Sequence, residues 1–291
     1  MRVLVTGSAG QIGWRIARHL KDRHHVIAAV RTGNIEGVES VEMDITQPFS
    51  IRLAVDRTMP DAVVHCAAMT SADECEKERD ACWHVNVEGT RALAEECKTD
   101  GARMVYVSTD LVFDGEKGNY AEEDAPNPLS HYAKSKLAGE RVVAEILPDA
   151  VIARTAIVYG KGGVPPRGFA VWLVDALRAG KKVPLFTDQF RSHFYLEDCA
   201  RAVGLLTEGK QNGLFHLSPG WRQSRHEFGL AVARAMGLDE RLIEAVSMKD
   251  VPSDAPRPKD CSLANGKLVR ATGFTPTPFA DTLKMLKREF F

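Results

Sequence analysis

Residues 1–20 read Met-Arg-Val-Leu-Val-Thr-Gly-Ser-Ala-Gly-Gln-Ile-Gly-Trp-Arg-Ile-Ala-Arg-His-Leu. Val3 to Thr6 is a β-branched run of strand length, Gly7, Gly10 and Gly13 follow at GxxGxxG spacing, and Ile12, Ile16 and Leu20 recur with the period of one helix face. A strand that turns through glycines into a helix lets backbone approach a pyrophosphate and aims the unpaired N–H groups and positive dipole of the helix N-terminus at it. The spacing alone is weak, since at about 7% glycine per position such a triplet arises by chance in roughly one chain in ten of this length. Its place between a strand and a helix is what carries it. On that reading a pyrophosphate lies against Gly7, Ala9, Gly10, Gln11, Ile12 and Gly13. The plain alternative is a tight turn in which Gly13 serves only close helix packing.

The same punctuation continues outward. Short apolar runs at Val26 to Val30, Val41 to Met43, Ala62 to Cys66, Met104 to Ser108 and Ala150 to Arg154 alternate with helical patterns such as Ala92, Leu93 and Cys97, then Leu137, Val142 and Ile146. Alternating strands and helices predict a doubly wound parallel sheet of Rossmann type with helices on both faces. The regularity fails after about residue 158, where prolines from Pro165 to Pro278 punctuate shorter elements. We therefore expect a dinucleotide-binding domain over 1–158, completed by parts of 193–217, and a smaller C-terminal α/β substrate lobe over 159–291. Phe169, Trp172 and Leu173 are expected to form the core face of a helix in that lobe.

Composition limits the function. In 291 residues, 38 Lys and Arg against 39 Asp and Glu leave a net charge of -1, so there is no bulk basic field for nucleic acid or an anionic membrane. The apolar runs fall far short of the roughly 20 residues a membrane span needs. The N-terminus enters a strand at once, without the n-region, h-region and cleavage site of a secretory signal, so a cytoplasmic protein is expected. Six cysteines with no CxxC pair read as free thiols, and no metal site is expected.

The ends of the strands carry the chemistry. The second run ends Val30-Arg31-Thr32 with no carboxylate; an acid there accepts from a ribose 2′-hydroxyl, whereas an arginine accommodates a 2′-phosphate. NADP(H) is thus the expected cofactor with Arg31 as its phosphate clamp, and NAD(H) the second option; the alternative is a solvated arginine. Asp44 and Ile45 follow the third strand, where an acid can accept from the adenine amino group, although an exposed loop aspartate fits as well. Cys66, Ala67 and Ala68 are the small residues a strand end needs where a flat ring or ribose passes. Of five tyrosines only Tyr132 has lysine at +4, Lys136, a spacing that stacks both side chains on one helix face. A neighbouring ammonium favours the phenolate and lowers the phenol pKa, so the pair can move a proton. Ser108-Thr109-Asp110, ending the preceding strand, is placed to offer a hydroxyl to the same oxygen.

TGSAGQIG, VHCAA, HVNVEGT, VYVSTDLVFDG and HYAKSKLAGE occur in the order seen in extended short-chain dehydrogenases/reductases, and the chain most resembles the dTDP-4-dehydrorhamnose reductase group. The resemblance implies that Thr109, Tyr132 and Lys136 are catalytic, with Lys136 also binding the nicotinamide ribose. It further implies that Asn86 supports the proton relay and that Asp110, Phe113 and Arg191 face the substrate. It implies an NADPH-dependent reductase of a keto group on a nucleotide-linked 4-keto-6-deoxy sugar, working as monomer or homodimer.

Departures from the group are local. Ile157 stands where many of these reductases carry a Trp against the sugar. Arg15 stands where the magnesium-binding dimeric members carry Glu, so that metal-bridged dimer is not expected. Phe190-Arg191-Ser192-His193-Phe194 replaces a pattern with Gly and Pro-Thr, leaving Arg191 either a diphosphate ligand or a surface arginine. Leu111 after Asp110 lacks the Asp-Glu pair of sugar-nucleotide dehydratases, and Arg31 contradicts the acidic strand end usual in epimerases. A non-catalytic NADP-binding subunit, like the regulatory subunit of methionine adenosyltransferase, is the alternative of a different class.

Overall fold

The computed structural model describes residues 1–291. Six strands, β1 (Arg2–Thr6), β2 (His25–Val30), β3 (Glu39–Glu42), β4 (Ala62–His65), β5 (Arg103–Thr109) and β6 (Val151–Thr155), come in turn. Helices α1 (Gln11–Leu20), α2 (Pro48–Thr58), α3 (Ala72–Lys77), α4 (Arg79–Trp83), α5 (Gly89–Asp100) and α6 (His131–Ile146) lie between them. Short strands follow: β7 (Val158–Tyr159), β8 (Val183–Phe186), β9 (Phe190–Arg191), β10 (Phe194–Tyr195), β11 (Gly213–Leu217), β12 (Gln223–Ser224) and β13 (Ile243–Val246). With them come α7 (Phe169–Arg178), α8 (Leu196–Glu208), α9 (Arg225–Met236), α10 (Gly266–Thr272) and α11 (Phe279–Phe290).

The main sheet has seven strands in the order β11-β6-β5-β4-β1-β2-β3, all pairs parallel. Its strands are covered on both faces, which is why they read as continuous apolar runs. Val3 and Val5 pack with Ile16, Ala17 and Leu20 of α1 and with Val203 and Leu206 of α8. Leu4, between them in sequence, packs on the opposite face with Ile51 and Val55 of α2, Leu93 of α5 and Val143 of α6. The fold class expected from the alternation is the one observed. After β6 the chain leaves the sheet and returns through α8 to β11, where Leu214 pairs with Ile152. A separate cluster of Leu173, Val174, Leu185, Phe228, Val232 and Leu286 joins α7, β8, α9 and α11 beside the strand ends.

Two aromatic expectations need correction. Trp172 is 50% exposed and only leans on Phe169 at 5.6 Å, so the buried face of α7 is carried by Ala170, Leu173, Val174 and Leu177 instead. Phe113 faces no substrate. It is fully buried, stacked on Tyr120 with ring centroids 4.1 Å apart, and the Arg154 guanidinium lies over its ring. Its type suited a sugar pocket, but its strand-end turn points it into the core. Phe113→Ala is therefore expected to lower the unfolding free energy by about 3–5 kcal/mol, measured by urea titration, while leaving the cofactor affinity of the folded protein unchanged.

Candidate active site

The site begins where β1 ends. Gly7 has φ +65°, and a Cβ there would lie 2.7 Å from the Ala67 nitrogen, so the turn admits no side chain. A Cβ at Gly13 would lie 2.5 Å from the Gly7 carbonyl oxygen, so this glycine lets α1 sit against the turn. Close packing and phosphate access are thus two consequences of one geometry. Gly10 caps α1 without any side-chain hydrogen bond, and no acid occupies the first turn, leaving the positive end of the helix open. Thr6 fixes the turn against β4: its hydroxyl accepts from Cys66 and Ala67 N–H and meets His65 Nδ1 at 2.7 Å. Burial pushes His65 down to about 3, so this link is neutral.

A cavity of about 750 Å³ opens from this turn along the carboxyl ends of the strands. Gly7, Ala9, Gly10, Gln11, Ile12 and Gly13 line it at one end, with Cys66, Ala67 and Ala68 beside them. Arg31, exposed and in no ion pair, lines it together with Asp44 and Ile45. Asp44 Oδ1 accepts from the N–H and hydroxyl of Thr46, which hold the carboxyl below its ordinary range.

Thr109, Asp110, Tyr132 and Lys136 line the same cavity further along. Ser130 starts α6 by accepting from Ala133 N–H at 3.2 Å, which sets Tyr132 in the first turn and Lys136 one turn later. Lys136 is 3% exposed and bonded to no carboxylate; its Nζ donates to the Val107 carbonyl at 2.8 Å and lies 4.0 Å from the Tyr106 ring centroid. Burial pushes it down to about 8 against the pull of Glu140. The expected lowering of the Tyr132 phenol is not found: burial raises it, the Thr109 hydroxyl opposes that, and the Lys136 ammonium is spent on Val107 and Tyr106. The phenol is therefore held protonated, the form a proton donor needs.

Other assignments shift. The Ser108 hydroxyl donates to Glu140 Oε1 at 2.5 Å, whereas the Thr109 hydroxyl donates at 3.2 Å to Asp110 Oδ1, itself in the cavity wall, and accepts from Leu111 N–H. Asn86, in a π-helical turn over His84–Glu88, does not reach the cavity. Its amide is spent on the Met69 backbone and the Ser135 hydroxyl, and Ser135 in turn donates to the Tyr132 carbonyl. Arg191 lines the cavity and is not a surface arginine: it donates to the carbonyls of Phe190 and Pro258, with Nε 4.0 Å from Asp110 Oδ2. Burial raises Asp110 to about 6 despite that arginine, and its Oδ2 accepts no hydrogen bond. Ile157 lines the cavity. Arg15 bridges Glu197 and Glu289, tying α1 to α8 and α11.

Sequence reasoning missed Arg225 and Arg257, which also line the cavity. Arg225 lies over the Phe169 ring at 4.1 Å, its Nη1 has no partner, and burial followed by the charges of Arg191 and Arg257 brings it down to about 9. A signal existed: Ser224-Arg-His-Glu227 is a capping box, and a cation in the first turn of a helix opposes the dipole.

The turn without room for a Cβ, the open helix end and the flat-ring gap at Cys66–Ala68 fit a dinucleotide. With a buried tyrosine and lysine in the same cavity of a doubly wound sheet, they define an NAD(P)-dependent oxidoreductase of the extended short-chain dehydrogenase/reductase kind. The chain belongs to the RmlD substrate binding domain family, whose model matches residues 1–290. It is 34% identical over 283 residues to the dTDP-4-dehydrorhamnose reductase of Mycobacterium tuberculosis, covering 94% of this chain and 88% of that one. It is 32% identical to the probable low-salt glycan biosynthesis reductase Agl14 of Haloferax volcanii, over 100% and 98% of the two chains. The crystal structure of the Bacillus anthracis dTDP-4-dehydrorhamnose reductase in complex with NADP superposes with TM-score 0.89 at 28% identity, covering 99% of each chain.

The Lys136 environment has a measurable sign. Between about 8 and 10.5 the unfolded lysine keeps a proton that the folded one has lost, so the ligand-free protein gains stability as pH rises through that window. Below it the buried charge costs of order 3 kcal/mol. Lys136→Met should therefore be at least as stable as wild type at pH 7 in urea titration and lose the gain above pH 8. NADPH binding, followed by fluorescence, should weaken in the variant.

Proposed function

We propose that the protein is an NADPH-dependent reductase of a keto group on a nucleotide-linked 4-keto-6-deoxy sugar. The observation that carries this reading is the meeting, in one cavity, of the glycine turn, the Thr109–Tyr132–Lys136 group and the unpartnered guanidinium of Arg225. A reduced nicotinamide held by the glycine turn and Lys136 would supply the hydride for the carbonyl carbon. Tyr132, kept protonated by burial, donates its phenolic proton to the oxygen that becomes the hydroxyl, and the Thr109 hydroxyl holds that oxygen. Lys136 supplies a positive charge where negative charge develops and a donor for the cofactor ribose. Arg31, with no carboxylate beside it at the end of β2, takes the 2′-phosphate and favours NADPH over NADH.

Arg225 takes the diphosphate of the substrate, the role first considered for Arg191, while Arg257, paired with Asp73 Oδ2 at 2.6 Å, adds positive charge at the cavity wall. A guanidinium grips a diphosphate in two places, and the one at Nη1 of Arg225 is open. Arg191 instead holds the cavity wall and accompanies Asp110. At the sugar, Ile157 offers an aliphatic wall, so stacking of roughly 0.5–1.5 kcal/mol beyond burial is missing and the preferred sugar differs from that of Trp-bearing reductases. A cytoplasmic location and a monomeric or homodimeric state complete the reading; all six cysteines are free thiols, as a reducing compartment allows. A purely regulatory cofactor-binding subunit would use Lys136 for the ribose but would have no use for Tyr132 as a proton donor to a keto oxygen.

The test is NADPH oxidation against a panel of nucleotide-linked 4-keto-6-deoxy sugars, followed by absorbance and product analysis. Tyr132→Phe is expected to bind NADPH as wild type does while turnover falls about 10²- to 10⁴-fold; a wild-type rate would remove Tyr132 as the donor. Arg225→Ala is expected to raise KM by roughly 10- to 100-fold, as loss of a charge-assisted contact does, with NADPH affinity unchanged. No turnover of any member of the panel by the wild-type protein would overturn the reading.

A further inference from the structure

The segment between Gly160 and Gly168 lies directly on the glycine turn. Val164 N–H donates to the Ala9 carbonyl at 2.9 Å, and Gln11 Nε2 donates to the Gly160 carbonyl at 2.8 Å. Arg15 Nη2 donates to the Lys161 carbonyl at 3.0 Å, and Lys161 N–H donates to Glu289 Oε2 at 2.7 Å. At the far end Gly168 has φ +111°, and a Cβ there would lie 2.5 Å from Gln11 Nε2. The strap is thus pinned at both ends to the residues that open α1. It carries one charged side chain into the cavity, Arg167.

Arg167 forms no ion pair. Its Nη2 donates to the Val164 carbonyl at 2.9 Å and its Nε to the Pro165 carbonyl at 3.3 Å, both on the strap itself, and the side chain is exposed. A neutral carbonyl gives a guanidinium no opposite charge, and an anionic oxygen within reach displaces it by adding Coulomb attraction and bidentate geometry. The same cavity offers a place for such an oxygen at the helix end beneath the strap, where Gly10 leaves N–H groups uncapped and no acid offsets the dipole.

We propose that Arg167 is a further ligand of the cofactor pyrophosphate, leaving its strap carbonyls to grip from outside the group that the α1 N-terminus grips from inside. This rests on the dinucleotide reading above. It makes the strap a retaining element: the protein backbone supplies neutral donors on one side, and Arg167 supplies the full positive charge that the turn itself lacks.

The experiment is a fluorescence or calorimetric titration of wild type, Arg167→Ala, Arg167→Gln and Arg31→Ala with three probes: NADPH, NADH, and adenosine 2′-monophosphate, which has the 2′-phosphate and no phosphate at the pyrophosphate position. Both Arg167 variants are expected to bind NADPH and NADH about tenfold more weakly and the 2′-monophosphate unchanged. Arg31→Ala should do the reverse, weakening NADPH and the 2′-monophosphate but not NADH. Wild-type NADPH affinity in Arg167→Ala overturns the proposal, as does an equal loss for the 2′-monophosphate, which would mean a disturbed turn. Failure of the wild-type protein to bind NADPH or NADH at all would instead overturn the dinucleotide reading.

Discussion

Glu140 is the residue on which the position of the active-site helix depends. Two turns beyond Tyr132 and one beyond Lys136 on the same face of α6, its buried carboxylate accepts from Arg154 of β6 at 2.7 and 2.9 Å and from the Ser108 hydroxyl of β5 at 2.5 Å. Such a pair is weak evidence for stability, because desolvation offsets most of the attraction, but it tolerates only one register of helix on sheet. That register carries Lys136 to the Val107 carbonyl and Tyr132 to Thr109. The same carboxylate pulls the Lys136 pKa upward against burial, so geometry and protonation state share one origin.

The cavity holds charge that the ligand-free protein leaves uncompensated. Asp110 keeps a proton up to about 6 that it loses at 3.8 when unfolded, so its contribution to stability declines as pH climbs through that interval. Lys136 restores stability only above about 8. Between those limits both groups hold the ligand-free molecule below the stability its packing would allow. Arg225, lodged among Arg191 and Arg257, adds to the same strain. Anionic ligands relieve the part of it that Lys136 and Arg225 cause and oppose ionisation of Asp110.

The legible part of the fold was periodic and local. Val3 to Thr6, the glycine triplet and the Ile12–Ile16–Leu20 stripe announce a strand, a turn and a helix within twenty residues, and β1 and α1 form there. Tyr132 and Lys136 were legible because a helix enforces their spacing. What escaped depended on contacts between distant segments. Arg191 finds its carbonyl at Pro258, 67 residues away, and Asn86 finds Ser135 49 residues away. No pattern near either residue encodes those partners. Phe113 was misplaced because an aromatic after a strand end suits a sugar pocket and a core equally. Glu140 lay within the stretch that suggested the family, yet only the fold shows that its partner is Arg154.

The claim that matters most is that this cavity moves hydride to a carbonyl carbon. The most direct measurement uses NADPH carrying deuterium at both C4 positions, with the best keto sugar nucleotide from the panel, and locates the label in the product by mass spectrometry and NMR. One deuterium on the carbon that bore the carbonyl, with the hydroxyl proton exchanged from solvent, is the expected result. A product without deuterium, or with label only at a neighbouring carbon, would contradict keto reduction in this site.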